Sequence, residues 1–217
     1  MKVEIWSDVV CPWCYIGKRR FESGLRAFDG RDDVEVQWRS FQLNPEQPRG
    51  ARTTHDEYLA AKLRTTKEQV HQLNARVVGL AADEGLHYDF DRYQVINTFD
   101  AHRVAHLGAA HGLADATQER FLSAQLEQGE VLDDPETLVR LGSEVGIPAQ
   151  EIRDVLASDA YAAEVQADID EAYAIGCNGV PFFVIDRRYG ISGAHPAELF
   201  LRALTQARED AKAPTAT

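Results

Sequence analysis

The feature that most constrains the fold is a short strand that runs straight into a Cys-x-x-Cys helix entry. Val3-Glu4-Ile5-Trp6 alternates and is rich in β-branched and aromatic residues, the pattern of a strand. Ser7-Asp8-Val9-Val10 follows, and then Cys11-Pro12-Trp13-Cys14. From Pro12 the period becomes helical. Phe21, Leu25 and Phe28 fall on one stripe, Lys18, Arg19, Arg20 and Glu22 occupy the other faces, and Asp29-Gly30 closes the segment. Val34, Val36 and Trp38 then alternate with Glu35, Gln37 and Arg39, which predicts a second strand with one wet face. Strand, helix and strand make a βαβ unit, so the two strands should be parallel.

Pro45, Pro48 and Gly50 mark a loop, and from about Thr54 to Ile175 the punctuation is helical. Thr54-x-x-Glu57 and Thr66-x-x-Gln69 are capping-box patterns. Val70, Leu73, Val77 and Leu80 form a stripe closed near Gly85. Asn97 is placed to cap a helix running to Gly112, and Asp115 to cap the next, ending near Gly129. Asp134-Pro135 is a cap with proline at the first helical position, and Gly146 is the stop. Pro148 and Ser158 begin two more helices. No strand signal of comparable strength occurs in this block.

After Gly176, Pro181-Phe182-Phe183-Val184-Ile185-Asp186 has the look of a buried strand. Arg187-Arg188-Tyr189-Gly190 is a turn and Ile191-Ser192-Gly193 a short return strand, together an antiparallel hairpin. His195-Pro196 opens a last helix carrying Leu199, Leu201, Ala203 and Leu204. The outline is βαβ, a long helical block, then ββα. Each outer piece is too small to bury a core alone; they are complementary halves of one sheet.

With 217 residues, 44% of them hydrophobic and 27% charged, a sizeable core is within reach and wholesale disorder is excluded. The net charge of −12 repels phosphate backbones and anionic lipid, which argues against nucleic acid or membrane partners. No segment approaches the roughly 20 apolar residues of a membrane span. The start, Met1-Lys2-Val3-Glu4-Ile5-Trp6, has one basic residue and then an acid, unlike a secretory leader with its apolar stretch of about 7–15 residues. A cytoplasmic protein is therefore expected. Three cysteines do not describe a disulfide-stapled scaffold. In a reducing compartment the close pair points to redox chemistry or metal binding.

At the entry of a helix, unpaired backbone N–H groups and the macrodipole favour negative charge. A thiolate is such a charge, so Cys11 is placed as the nucleophile. Cys14, one turn further in, is the resolving thiol. Pro12 fits the first turn without loss of a needed hydrogen bond. Trp13 adds an apolar face and no charge. Asp8 can modulate the cysteines, relay a proton or cap backbone N–H groups. The competing use of a Cys-x-x-Cys pair is a zinc half-site, which needs further ligands. His102 and His106, spaced i, i+4, are the geometric candidates, but the strand-then-helix context fits redox chemistry better, and no metal is expected.

Gly179-Val180-Pro181-Phe182 precedes the late strand, and the βαβ…ββα order brings this turn beside the Cys-x-x-Cys helix. A cis Val180–Pro181 bond would present the Val180 backbone to an incoming peptide, which could pair with it as an added strand. An ordinary trans proline at a strand entry is the alternative.

Cys11-Pro12-Trp13-Cys14, Gly179-Val180-Pro181-Phe182-Phe183 and Ile191-Ser192-Gly193-Ala194 resemble the thioredoxin-fold DsbA family, most closely its cytosolic FrnE-like branch. Phe41-Gln42-Leu43-Asn44-Pro45 and Asn97-Thr98-Phe99-Asp100-Ala101-His102 extend the resemblance to nearly the whole chain. It implies an α/β thioredoxin fold with a large all-helical domain inserted between the two halves. Residues 1–50 and 176–210 would form the thioredoxin-like domain, 51–175 the insertion and 211–217 a C-terminal tail. It further implies a cis proline at Pro181, a substrate rest at Val180 and Pro181, and dithiol–disulfide exchange through Cys11 and Cys14 on disulfide-containing proteins or peptides. No bound cofactor is implied, although glutathione is a candidate redox partner.

Kappa-class glutathione transferases and 2-hydroxychromene-2-carboxylate isomerases are relatives that typically carry serine at the first active position. Cys11 therefore favours redox work over glutathione-dependent isomerisation or transfer, which stays the alternative. Trp13 stands where the periplasmic oxidant of the family has histidine, so a strongly oxidising potential is not carried over. Cys177 is either a small buried residue or a third thiol. His102 and His195 are either neighbours of Cys11 or packing and surface residues.

Overall fold

Alternation along β1 (Lys2–Ser7) sends Val3 and Ile5 to one face of the sheet and Trp6 to the other. The computed structural model of the chain describes residues 1–212. β1 leads into α1 (Pro12–Arg26) and then β2 (Glu35–Ser40), which pairs with β1 in parallel. Much later, β5 (Phe182–Ile185) lies antiparallel on the other side of β1, and β6 (Tyr189–Ser192) closes a hairpin with it. The sheet order is β2-β1-β5-β6, so the first strand of the chain is central and the two ends of the sequence complete one sheet. α9 (Ala197–Lys212) packs with α1. Between them and the sheet, Phe21, Phe183 and Phe200 meet edge-on or tilted at 4.6–5.7 Å. This is the thioredoxin-like arrangement expected, with the helices between β2 and β5 as the insertion.

Those helices are α2 (His55–Leu63), α3 (Lys67–Asp83), α4 (Phe99–Ala110), α5 (Ala114–Leu126), α6 (Pro135–Glu144), α7 (Ala149–Leu156) and α8 (Ala162–Ala174). Thr54 caps α2, Thr66 and Gln69 form a complete capping box on α3, and Asp134 caps α6. Phe121, Leu138, Leu141, Ile147 and Ile152 build the block's own core. A second cluster joins Cys11, Cys14, Tyr15 and Ile16 to Tyr88, Tyr93, Leu122 and Leu126, so the block packs directly on the Cys-x-x-Cys helix.

Several sequence expectations are corrected. The insertion is not wholly helical: β3 (Thr53–Thr54) and β4 (Gln94–Val95) pair antiparallel. α1 ends at Arg26 rather than at Asp29, and Phe28 is buried beyond it. Asp115 does not cap α5; it sits in the first turn and accepts from the Trp38 indole at 3.2 Å. Thr98 is the N-cap of α4 without a side-chain bond, while Asn97 accepts from the Phe99 N–H at 3.0 Å. α8 starts at Ala162, four residues after Ser158. Leu73 faces out, 51% exposed, because α3 buries Val70, Asn74 and Ala81 instead. The late turn is Asp186-Arg187-Arg188, and Tyr189 pairs with Ile185. The tail reading begins inside α9 at Ala211 and Lys212, and residues 213–217 lie outside the described residues.

The face of β2 expected to be wet is covered only in part: Glu35 is exposed, while Gln37 and Arg39 are half-buried. α8 packs on β2, and Arg39 reaches Asp168 at 2.8 Å and Glu4 at 2.6 Å. Glu4 is 1% exposed and is bound from the other side by Arg187 of the hairpin turn. Buried charges of this kind persist only when paired and hydrogen-bonded.

Candidate active site

Cys11 is the N-cap of α1 and Pro12 its first residue. Proline costs nothing there, since the first-turn N–H groups have no helical partner. No acidic side chain lies in that turn to compete with a thiolate at residue 11. The Cys11 thiol donates to the Val180 carbonyl at 3.4 Å, and the Val180–Pro181 peptide is cis. The two halves of the sheet thus meet at one sulfur.

Cys11 and Cys14 are both free thiols and nearly buried. Burial, reinforced by Cys11 beside it, pushes the Cys14 thiol well up from its ordinary value, and a hydrogen bond from Ser7 opposes the shift. Ser7 is itself held by the Gln118 amide at 2.9 Å. Trp13 is 39% exposed, an apolar surface between the two cysteines in sequence.

One carboxylate oxygen of Asp8 caps a backbone N–H, but in a different segment. Its Oδ2 accepts from the Leu43 N–H at 2.8 Å, which ties the Phe41–Pro45 stretch to the reactive loop. Its Oδ1 lies 3.4 Å from His102 Nε2. His102 therefore faces Asp8, and His106 faces Asp168 at 3.1 Å. His195 is exposed at the entry of α9.

Cys177 sits in another cluster, with Trp6, Phe41, Ala172 and Val184. It is fully buried, its thiol donates to the Gly179 carbonyl at 3.3 Å, and burial pushes it up. Its packing is that of a small core residue below the Val180–Pro181 turn.

Five supporting residues escaped the sequence. Gly17 on α1 faces Pro181 so closely that a Cβ would stand 2.8 Å from the proline Cγ. Arg20 binds the Ala194 carbonyl at 2.8 Å and so anchors the segment after β6 to α1. Lys18, read as surface, is 2% exposed and pairs with Glu119 at 2.9 Å and Asp115 at 3.3 Å, because α5 covers that side of α1. Tyr88 and Tyr93 donate their hydroxyls to the carbonyls of Pro12 and Val10. A helical insertion supplies most of these partners, and no local pattern in residues 1–50 announces them.

A pocket of about 120 Å³ opens beside Pro12, lined among others by Val10, Leu43, Tyr58, Leu59 and Tyr93, with Lys62 in its wall. Its volume suits a side chain better than a whole drug-sized ligand, for which sites of ~300 Å³ or more are usual. No helix among the described residues is long and apolar enough to cross a membrane.

A family profile described as a DSBA-like thioredoxin domain matches residues 2–205. The chain is similar to a probable DsbA oxidoreductase from Streptomyces coelicolor, with 44% identity, a TM-score of 0.95, and coverage of 100% of this chain and 93% of that one. It shares its fold with a 2-hydroxychromene-2-carboxylate isomerase at 17% identity and TM-score 0.69, covering 97% and 96% of the two chains. It likewise shares the fold of the cytosolic disulfide reductase DsbM from Pseudomonas aeruginosa, solved with GSH. That match has 20% identity and TM-score 0.67, over 96% of this chain and all of the other.

Proposed function

The chain belongs to the DSBA-like thioredoxin domain family, and from that premise we propose that it is a dithiol–disulfide oxidoreductase acting on protein or peptide disulfides through Cys11 and Cys14. The observation that carries this reading is the Cys11 thiol at the N-cap of α1, 3.4 Å from the Val180 carbonyl. Residues 1–50 and 176–210 form the half that does the chemistry, and 51–175 the insertion that braces it.

In the exchange, the Cys11 thiolate attacks one sulfur of a substrate disulfide. A Cys11–substrate disulfide forms, and the other substrate sulfur leaves as a thiolate and takes a proton. Cys14 gives up its proton and attacks the Cys11 sulfur. The Cys11–Cys14 disulfide closes, and the second substrate thiol is released. Two electrons have passed to the substrate, and a dithiol or two glutathione-class thiols, themselves oxidised to a disulfide, reduce the protein again. Oxidation and isomerisation are the same exchange run with other partners.

Val180 and Pro181 are the substrate rest in this scheme. The Val180 carbonyl already accepts the Cys11 thiol, and an extended peptide can take its place along the same backbone. Trp13 supplies exposed apolar surface, Pro12 holds the loop, and Asp8 fixes Leu43 against it. Cys177 is left out of the exchange because it is buried in a separate cluster. A cytoplasmic location accompanies the reading, since one close cysteine pair and a single distant cysteine do not make the disulfide framework of an exported scaffold.

Glutathione is a candidate partner because a protein of this fold was solved with GSH. A glutathione-dependent transferase or small-molecule isomerase on this fold remains the second reading. Cys11 and the small pocket beside Pro12 both favour exchange with peptides. Reduction of insulin by wild-type protein and by Cys11→Ser separates the two: activity lost with Cys11 supports exchange, and undiminished activity in Cys11→Ser rejects it.

A further inference from the structure

The carbonyls of Val10 and Pro12, the residues on either side of Cys11, are both held by phenols from the insertion. Tyr88 donates to the Pro12 carbonyl at 2.6 Å, and Tyr93 donates to the Val10 carbonyl at 2.5 Å. The Cys11 N–H is bound to the Asp8 carbonyl at 3.0 Å. The backbone on each side of the sulfur is thus fixed by a named bond, two of them contributed by the segment between α3 and β4.

We propose that Tyr88 and Tyr93 are positioning residues for thiol exchange: by bonding the carbonyls of Val10 and Pro12 they hold the Cys11 side chain toward Val180, and the Tyr93 hydroxyl offsets the dipole of the Val10 carbonyl that leads into the thiolate residue. The inference rests on the assignment of Cys11 as the nucleophile. An uncompensated carbonyl oxygen beside a thiolate disfavours the charge, and a hydroxyl donated to that oxygen reduces the repulsion.

Both phenols are suited to remain donors. Tyr88 is 8% and Tyr93 3% exposed. Burial first pushes both hydroxyls up, with Cys11 and then Cys14 adding at Tyr88 and Asp8 and then Cys11 adding at Tyr93, so they stay neutral where thiols ionise. Their rings are fixed by neighbours: Tyr88 stacks on Tyr15 at 6.4 Å and meets Phe90 at 5.8 Å, and Tyr93 meets Phe90 at 5.9 Å. A phenol held this way needs no reordering when the thiolate forms, which is the condition for electrostatic preorganisation.

Tyr88→Phe and Tyr93→Phe keep the rings and remove only the hydroxyls. Two readouts test the idea: the iodoacetamide alkylation rate of Cys11 at pH 7, mapped by mass spectrometry, and the dithiol–disulfide equilibrium against glutathione. The double variant is expected to alkylate at least about fivefold more slowly and to shift at least about threefold toward the Cys11–Cys14 disulfide, because its thiolate is less stabilised. If the double variant does not fold, each single variant should show a smaller change in the same direction. Wild-type values for both readouts in the folded variants would overturn the inference. Preferential alkylation of Cys14 or Cys177 in the wild type would instead remove Cys11 as nucleophile, and the inference with it.

Discussion

Gly17 and Pro181 are in direct contact across the junction of the two sheet halves, with room for no side chain at residue 17. A Cβ there would lie 2.8 Å from Pro181 Cγ and 3.5 Å from Ala194 Cβ. A glycine inside a helix ordinarily costs about 0.5–1 kcal/mol against alanine, so alanine would stabilise an unobstructed site. Here the clash outweighs that gain. Gly17→Ala should lose about 1–3 kcal/mol in urea denaturation. It should also slow disulfide exchange by roughly tenfold, as ~1.4 kcal/mol of misplacement would, because Val180 moves away from Cys11. An alanine variant as stable and as fast as wild type would show that the contact relaxes freely.

Glu119 ties α5 to α1 through Arg19, Tyr15 and Lys18. Burial opposes its ionisation, but bonds from Arg19, Tyr15 and Lys18 outweigh burial and hold the carboxyl at about 2 against an ordinary 4.5. A folded value below the unfolded one stabilises above the unfolded pKa and is lost as pH falls through the folded one. The contribution is up to about 3 kcal/mol, complete above about pH 5 and gone near pH 2. Denaturation midpoints should fall over that window in wild-type protein, and less steeply in Glu119→Gln. Identical slopes would contradict the assignment.

Asp168 is 2% exposed and accepts from Arg39 at 2.8 Å and from the Ser40 N–H at 2.9 Å, with His106 at 3.1 Å. Asp168→Ala leaves the buried Ser40 N–H without its acceptor and Arg39 with Glu4 as its main partner in the interface between α8 and β2. Leaving a buried donor unpaired costs about 1–3 kcal/mol. Chemical denaturation of the variant checks this, and a loss below about 1 kcal/mol would mean that water replaces the carboxylate at once.

Cys177→Ala should leave exchange intact. Oxidised wild-type protein should retain one titratable thiol under denaturing conditions, and oxidised Cys177→Ala none. A protein that loses all three thiols on mild oxidation, or a Cys177→Ala variant that loses its turnover, would return Cys177 to the reacting set.

The parts legible in the sequence are those written in local period or local capping. Val3-Glu4-Ile5-Trp6 shows its strand by alternation, Thr66 and Gln69 show their helix start, and Cys11-Pro12 shows a helix entry with its own electrostatics. Val180-Pro181 could be paired with Cys11 only through the order of elements and the family resemblance.

What was not legible depends on partners far away in the chain. Glu4 reads as an exposed strand residue until Arg39 and Arg187 arrive from β2 and the hairpin turn. Lys18 reads as surface until α5 covers it. The late turn is displaced from Gly190 because Asp186 bonds the Lys2 backbone in both directions, at 2.6 Å and 2.8 Å, which supports positive φ at Asp186 and Arg187. β3 and β4 have two residues each, too few to show a period.

The division of labour between the two cysteines is tested most directly by trapping the intermediate. Cys14→Ser incubated with a disulfide peptide should accumulate one covalent adduct, and peptide mapping should place it on Cys11. Cys11→Ser should give none. An adduct on Cys177 in Cys14→Ser, or a stable adduct through Cys14 in Cys11→Ser at the wild-type rate, would contradict the account.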